Sequence, residues 1–308
     1  MTILRADPTL FSDAAPAAGL APHEAAATYV DGGVDIRHEA AIDTAWVTMR
    51  PRLGHALNYS PAMLDAFDTA FGRWEANGCQ WEAEGGSLLP VHYAVLQSGH
   101  PEYFNVGGDL ALFNACIARG DFDGLRAYSL RCMDLTYRWA CHVSERATTI
   151  SLVQGRALGG GFESALSSDY VIAEEQAEFG LPEILFGLFP CSGAMPLLAR
   201  RIGLCRAERL MTNGRVYTAS ELLDMGVIDE VCPRGGGRQA VRRFIAEHAK
   251  VRQARQAVQQ ARRRMQPLDL REMAAVVDDW VELARSLSPA SLRVLDTLTR
   301  MQRADFAH

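Results

Sequence analysis

The chain has 308 residues, of which 48% are apolar and 22% charged, with a formal net charge of −6. This is the composition of an ordinary globular protein long enough to bury a large core, and its acidic balance speaks against general nucleic-acid binding. No apolar run approaches the roughly 18–20 residues of a membrane span. The seven cysteines are scattered without a CxxC pair and the eight histidines show no HExxH spacing, which argues against a disulfide framework or a metal site and fits a reducing cytoplasm. Lys250 is the only lysine, so Schiff-base and phosphate-lysine chemistries have almost no residue to work with.

Residues 1–27 are rich in Ala and Pro but lack a basic stretch followed by an apolar one; they read as a loosely ordered tail and not a secretory signal. From residue 28 to 234 short apolar runs alternate with helical stretches. "TAWVTMR" (44–50) and "PVHYAVLQSG" (90–99) read as strands, and the amphipathic segment between them as a helix started by Ser60 and Pro61 and stopped by Gly78. A long helical region follows from about Leu110 to Arg146, then the strand-like "TTISLVQG", a helix opening at Gly159–Gly161, the strand "DYVIAEE", a Gly/Pro-punctuated loop "FGLPEILFGLFPCSG" and the helix "AMPLLARRIG". Strands alternating with helices imply an α/β core with crossover connections. After the glycines at 235–237 the β signal disappears, and residues 235–308 read as a helical C-terminal subdomain.

The glycine stretch "GRALGGGF" has P-loop spacing between Gly155 and Gly160, but Gly161 and Phe162 stand where a Walker loop needs Lys and Ser or Thr. What a turn of this kind still offers is main-chain N–H groups at a helix start, which hold an oxyanion. "YFNVGGDLALF" (103–113) repeats the pattern, with Asp109 opening a helix. Two such loops, each giving one N–H, satisfy the requirement of a thioester oxyanion hole. Glu163 follows the first loop, and Glu183 sits among Leu181, Pro182, Ile184, Leu185 and Phe186. Carboxylates in apolar surroundings have raised pKa values and suit general acid and base work. Cys191, a candidate nucleophile beside the same loop, has no histidine near it in sequence.

"ISLVQGRALGGGFESAL", "FGLPEILFGLFPCSG" and "GRVYTASELLDMGVIDEVCP" resemble the crotonase (enoyl-CoA hydratase/isomerase) superfamily over roughly residues 30–300. The resemblance implies a spiral of ββα units with a helical C-terminal trimerisation subdomain. It also implies Glu163 and Glu183 as the catalytic pair, with their two roles unassigned, and Val106 and Gly160 as the oxyanion-hole amides. No metal or other cofactor is implied. "FNVGGDLALF", "GLPEILFGLFP" and a tail with "DDWVELA" are similar, more narrowly, to the bacterial diffusible-signal-factor synthases. That likeness implies a dehydratase and thioesterase converting a 3-hydroxyacyl thioester on acyl carrier protein to a cis-2-unsaturated fatty acid for quorum sensing; the alternative is an enoyl-CoA hydratase or isomerase acting on CoA thioesters, and a non-catalytic scaffold of the same fold comes third.

Gly107, Gly161, Leu185, Phe189, Met195 and Trp280 are the expected substrate contacts, the apolar ones lining an acyl tunnel. The run "VRQARQAVQQARRRM", with five arginines and no acid, offers a face for acyl carrier protein or for CoA phosphates. Further expected partners are copies of the chain, as a homotrimer or dimer of trimers, and a signalling sensor kinase; no nucleic acid and no membrane are expected.

Overall fold

The computed structural model describes residues 28–30, 33–52 and 55–304; the expected tail at 1–27 lies outside the described residues. The chain begins with strands β1 (Thr28–Val30), β2 (Val34–Glu39) and β3 (Thr44–Met49), then helix α1 (Pro61–Ala76) and a small hairpin of β4 (Trp81–Glu82) and β5 (Leu88–Leu89). It continues through β6 (Tyr93–Ser98), β7 (Tyr103–Asn105), α2 (Leu110–Arg119), α3 (Phe122–Arg138) and the short α4 (Ser144–Arg146). Next come β8 (Thr148–Val153), β9 (Arg156–Leu158), α5 (Gly160–Leu166), β10 (Tyr170–Glu174), β11 (Glu178–Gly180), a 3-10 turn (Pro182–Phe186), α6 (Ala194–Ile202) and α7 (Leu204–Thr212). After β12 (Val216–Thr218), α8 (Ala219–Asp224) and β13 (Glu230–Cys232) only helices remain: α9 (Gly237–Ala249), α10 (Arg252–Met265), α11 (Leu270–Arg285) and α12 (Pro289–Ala304).

Two sheets organise the core. The larger runs β1-β2-β3-β6-β8-β10-β13 and the smaller β12-β11-β9-β7. Successive turns of chain place one strand in the large sheet and the next in the small one: β6 then β7, β8 then β9, β10 then β11. A helical segment follows each pair, so the chain climbs as a spiral of ββα units. Because helices and the second sheet cover the large sheet, its central strands are buried on both faces; all six residues of β3, β6 and β8 are buried. This is why those strands read as continuous apolar or β-branched runs with little alternation.

Local signals set the helix ends. The Ser60 side chain accepts from the Met63 N–H with Pro61 at the first helical position, and the Asp109 carboxylate accepts from the amides of Ala111 and Leu112, so both residues are N-caps. The long helical stretch is interrupted at Trp139–Val143 by one π-helical turn before the short α4 and β8. The glycines at 235–237 are fastened to the sheet: the buried Glu174 carboxylate accepts from Gly235 N–H at 2.8 Å and Gly237 N–H at 3.1 Å. A Cβ on Gly237 would stand 2.6 Å from Leu152 Cδ1, which lets α9 lie directly on β8 and β10. Trp280 of α11 is 1% exposed, its ring 5.1 Å from that of Phe113 in edge-to-face contact.

Candidate active site

Strands β7, β9 and β11 are parallel neighbours in the small sheet, with Asn105 opposite Ala157 and Gly180 opposite Leu158. Their C-terminal ends therefore release three segments side by side: 106–109 after β7, 159–163 after β9, and 181–186 after β11. Three separate stretches of sequence converge for this one topological reason.

The first two touch backbone to backbone. A Cβ on Gly161 would stand 2.1 Å from the Asn105 carbonyl oxygen, and one on Gly107 would stand 2.7 Å from the Leu158 oxygen and 3.0 Å from the Gly160 nitrogen. Gly107 and Gly161, expected as substrate contacts, instead form the seam between the loops and lie outside the cavity lining. The reason is that only a residue without a side chain permits this approach. Gly161→Ala is accordingly expected to destabilise the fold by about 3 kcal/mol or more, since the obstacle is backbone that cannot rotate away; a urea melt of the purified variant measures it.

Nearly every backbone group from Val106 to Asp109 has a partner. Val106 N–H donates to Leu57 O (2.9 Å), and Gly107 N–H to Asn105 Oδ1 (2.7 Å). Gly107 O accepts from Tyr59 N–H (2.8 Å), Asp109 N–H donates to the Tyr128 hydroxyl (2.9 Å), and Gln302 Nε2 donates to both Val106 O (3.3 Å) and Gly108 O (3.2 Å). Among the described residues the Gly108 N–H alone in this loop has no acceptor. A Cβ on Gly160 would lie 3.7 Å from that nitrogen, and Gly108 and Gly160 both line the cavity. The expectation of Val106 as an oxyanion donor is thus corrected: its N–H is spent on Leu57, and the open amide beside Gly160 belongs to Gly108. Phe113 Cζ would be 2.7 Å from a Cβ on Gly108, so the ring that walls the cavity also requires a glycine there.

Glu163, the fourth residue of α5, is buried, and its Oε1 accepts from the N–H groups of Ser192 (2.7 Å) and Ala194 (2.9 Å) at the start of α6. Burial pushes its carboxyl up to about 7, while the amides of Ala194, Ser192 and Gly193 pull the other way. Glu183 is pushed further, to about 8, by burial first and by the charge of Glu163 second. Its Oε2 is enclosed with no hydrogen-bond partner. A Cβ on Gly159 would be 2.5 Å from Glu183 Oε1, and Gly159 has φ +52°, so the first glycine of the triplet makes room for the second carboxylate.

Both carboxylates open into one cavity, about 1050 Å³ including its mouth, walled by Phe113, Phe186, Phe189, Trp280, Leu298 and Met301. Leu185 and Met195 do not line it, contrary to the sequence reading. In a 3-10 turn residues i and i+3 eclipse, so Phe186 follows Glu183 inward while Leu185 is left 53% exposed. Met195 packs instead against the core beside α6. Cys191 lines the cavity, but burial and then the nearby carboxylate of Glu163 hold its thiol well above the ordinary range, which keeps it protonated and unsuited to attack. Sequence reading also missed Tyr128 and Gln302, which reach the loop from distant helices. Of the five arginines at 252–264, Arg262 and Arg263 turn onto the buried Asp169 at 3.1 and 2.7 Å. Among the described residues no cluster of three or more His, Cys, Asp or Glu side chains is placed to hold a metal ion, and no helix is long and apolar enough to cross a membrane.

A ββα spiral with two glycine-lined loops and two carboxylates, one buried and one half-buried, facing a single cavity beyond the ends of parallel strands defines the crotonase class of fold. Residues 90–278 match the enoyl-CoA hydratase/isomerase family model, and the chain belongs to that family. It is 42% identical over 87 residues to the mevalonyl-coenzyme A hydratase SIDH of Beauveria bassiana, covering 28% of this chain and 31% of that protein. The chain thus spans about a third of the length of that relative. It is 31% identical over 189 residues to the probable enoyl-CoA hydratase echA8 of Mycobacterium leprae, covering 61% of this chain and 68% of that protein. Among solved structures, an enoyl-CoA hydratase/isomerase from Xanthobacter autotrophicus Py2 superposes with a TM-score of 0.66 at 22% identity, covering 88% of this chain and 95% of that one.

Proposed function

We propose that the chain catalyses the reversible addition of water to the C2–C3 double bond of a 2-enoyl thioester of coenzyme A, giving the 3-hydroxyacyl thioester. The observation that carries this reading is the meeting of Glu163 and Glu183 with the N–H groups of Gly108 and Gly160 in one apolar cavity. The thioester oxygen lies between the two amides. Glu163, whose charge the amides of Ser192 and Ala194 favour, is the base: it takes a proton from water as the oxygen bonds to C3. Electron density moves to the thioester oxygen as an enolate, and one missing amide there costs roughly 3 kcal/mol of transition-state stabilisation. Glu183, with its higher pKa, is the acid: its proton goes to C2 as the enolate collapses. The proton gained by Glu163 then leaves to solvent and Glu183 is reprotonated.

The names of the curated relatives, enoyl-CoA and mevalonyl-coenzyme A hydratases, support coenzyme A as the carrier. The expected alternative, a hydratase or isomerase of CoA thioesters, therefore takes first place. The dehydratase and thioesterase of the signal-synthase type, with acyl carrier protein and a sensor kinase as partners, rests on the sequence resemblance alone. One experiment separates them: incubation with crotonyl-CoA, a medium-chain 2-enoyl-CoA and a medium-chain 3-hydroxyacyl carrier-protein thioester, with products identified by mass spectrometry. Hydrated CoA thioesters are expected. Free cis-2-enoic acid from the carrier-protein thioester alone would overturn the reading in favour of the narrower one, and inertness toward all three would overturn both.

A further inference from the structure

The peptide plane that carries the open amide joins Gly107 O to Gly108 N–H, and its direction is set by what holds it and its neighbours. Tyr59 N–H holds the Gly107 oxygen at 2.8 Å, which turns the Gly108 N–H the opposite way. The preceding plane is pinned at both ends, Val106 O by Gln302 and Gly107 N–H by Asn105 Oδ1. The following plane is pinned likewise, Gly108 O by Gln302 and Asp109 N–H by the Tyr128 hydroxyl. Tyr128 in turn donates to Tyr59 O at 2.6 Å, tying the two strands of this clamp together.

One amide group, Gln302 Nε2, thus grips the carbonyls on both sides of the catalytic peptide. Its orientation is unambiguous, because two carbonyl oxygens demand the NH₂ end while Oε1 accepts from Asn58 Nδ2 at 3.2 Å. Gln302 comes from α12, which also packs on the 3-10 turn that carries Glu183; a Cβ on Gly187 would stand 2.9 Å from Ser291 Oγ. We propose that Gln302 is a positioning residue of the oxyanion hole: the C-terminal helix α12, through this side chain, fixes the direction in which the Gly108 N–H points. The inference rests on the thioester reading of the same site.

A merely structural Gln302 would hold α12 in place and nothing more, so the test needs a readout that anchoring does not move. Gln302→Met keeps the length and removes both bonds to the loop carbonyls together with the one from Asn58; Gln302→Glu keeps the shape and the acceptor for Asn58 but sets carboxylate oxygens against two carbonyls. Thr299→Val is the control: Thr299 anchors the same helix through Asn114 at 2.8 Å and Leu110 without touching the loop. Hydration kinetics are expected to show kcat lowered about 10–100-fold in Gln302→Met, further in Gln302→Glu, with KM changed far less, whereas Thr299→Val lowers the melting temperature and spares kcat. The infrared carbonyl band of a bound, isotope-labelled unsaturated acyl-CoA adds a reading independent of turnover. Wild-type binding should shift the band to lower wavenumber, and Gln302→Met should lose much of that shift. A full shift retained in Gln302→Met, or a Gln302→Met that behaves as Thr299→Val does, overturns the role of Gln302. No shift in the wild type overturns the oxyanion reading itself, and the inference with it.

Discussion

Glu183→Gln is expected to lower kcat/KM for 2-enoyl-CoA hydration by about 10²–10⁴-fold, the range one positioned acid or base supplies, and Glu163→Gln by a similar factor. Each variant keeps the side-chain volume, and a glutamine oxygen at 163 still accepts from Ser192 and Ala194, so the loss reports proton transfer and not collapse of the site. Wild-type kcat/KM should follow a narrow bell. Activity rises as Glu163 loses its proton near pH 7 and falls as Glu183 loses its own near pH 8; because the two charges interact, the limbs belong to the pair. Stability carries a second signature. Glu183 has a folded pKa raised above its ordinary 4.5 to about 8, so its neutral form favours the fold fully below 4.5 and that contribution is lost as pH rises to about 8. Glutamine cannot ionise, and Glu183→Gln should therefore melt at a higher temperature than wild type at pH 8.5 but not at pH 4.5. Thermal melts that show no widening gap between those values would contradict the burial and repulsion assigned to Glu183.

Gly160→Pro is the other large effect. Gly160 is the first residue of α5, the position where proline is best tolerated because that N–H is free of the helix in any case. In this protein the free N–H is the proposed oxyanion donor. The substitution removes it and fills the space beside the Gly108 nitrogen. kcat for hydration should fall about 10²–10³-fold while circular dichroism retains the helical signal. Near-wild-type turnover in a folded Gly160→Pro protein would remove Gly160 from the mechanism.

Much of this architecture is legible from local sequence. Strands β3, β6 and β8 announce themselves as short apolar runs because both faces are covered. Ser60 and Asp109 mark helix starts because a side-chain oxygen satisfies amides one turn ahead, an interaction that needs no tertiary partner. Glycine triplets before a helix, and glutamates among apolar residues, stand out because burial of a charge or loss of a side chain is costly anywhere. The sequence was less informative where two candidates share one local environment. Leu185 and Phe186 are adjacent and both apolar, and only the three-residue period of the turn sends one to solvent and the other into the cavity.

By itself, then, the sequence determined the alternation of strands and helices and the two glycine loops, since each depends on interactions within a few residues, and it marked Glu163 and Glu183 singly by their apolar neighbours; their meeting in one cavity is the work of the small sheet. The tertiary structure alone decided which amide remains open. Asn105, two residues back, takes the Gly107 N–H locally, but Val106 and Gly108 offer equivalent N–H groups in the chain, and the choice between them falls to Leu57 and the neighbouring Gly160. The clamp on that peptide is more distant still, with Gln302 reaching Gly108 across 194 positions. A hydrogen bond over that separation leaves no periodic or local trace, because its donor is selected by where α12 lands and not by its neighbours in the chain.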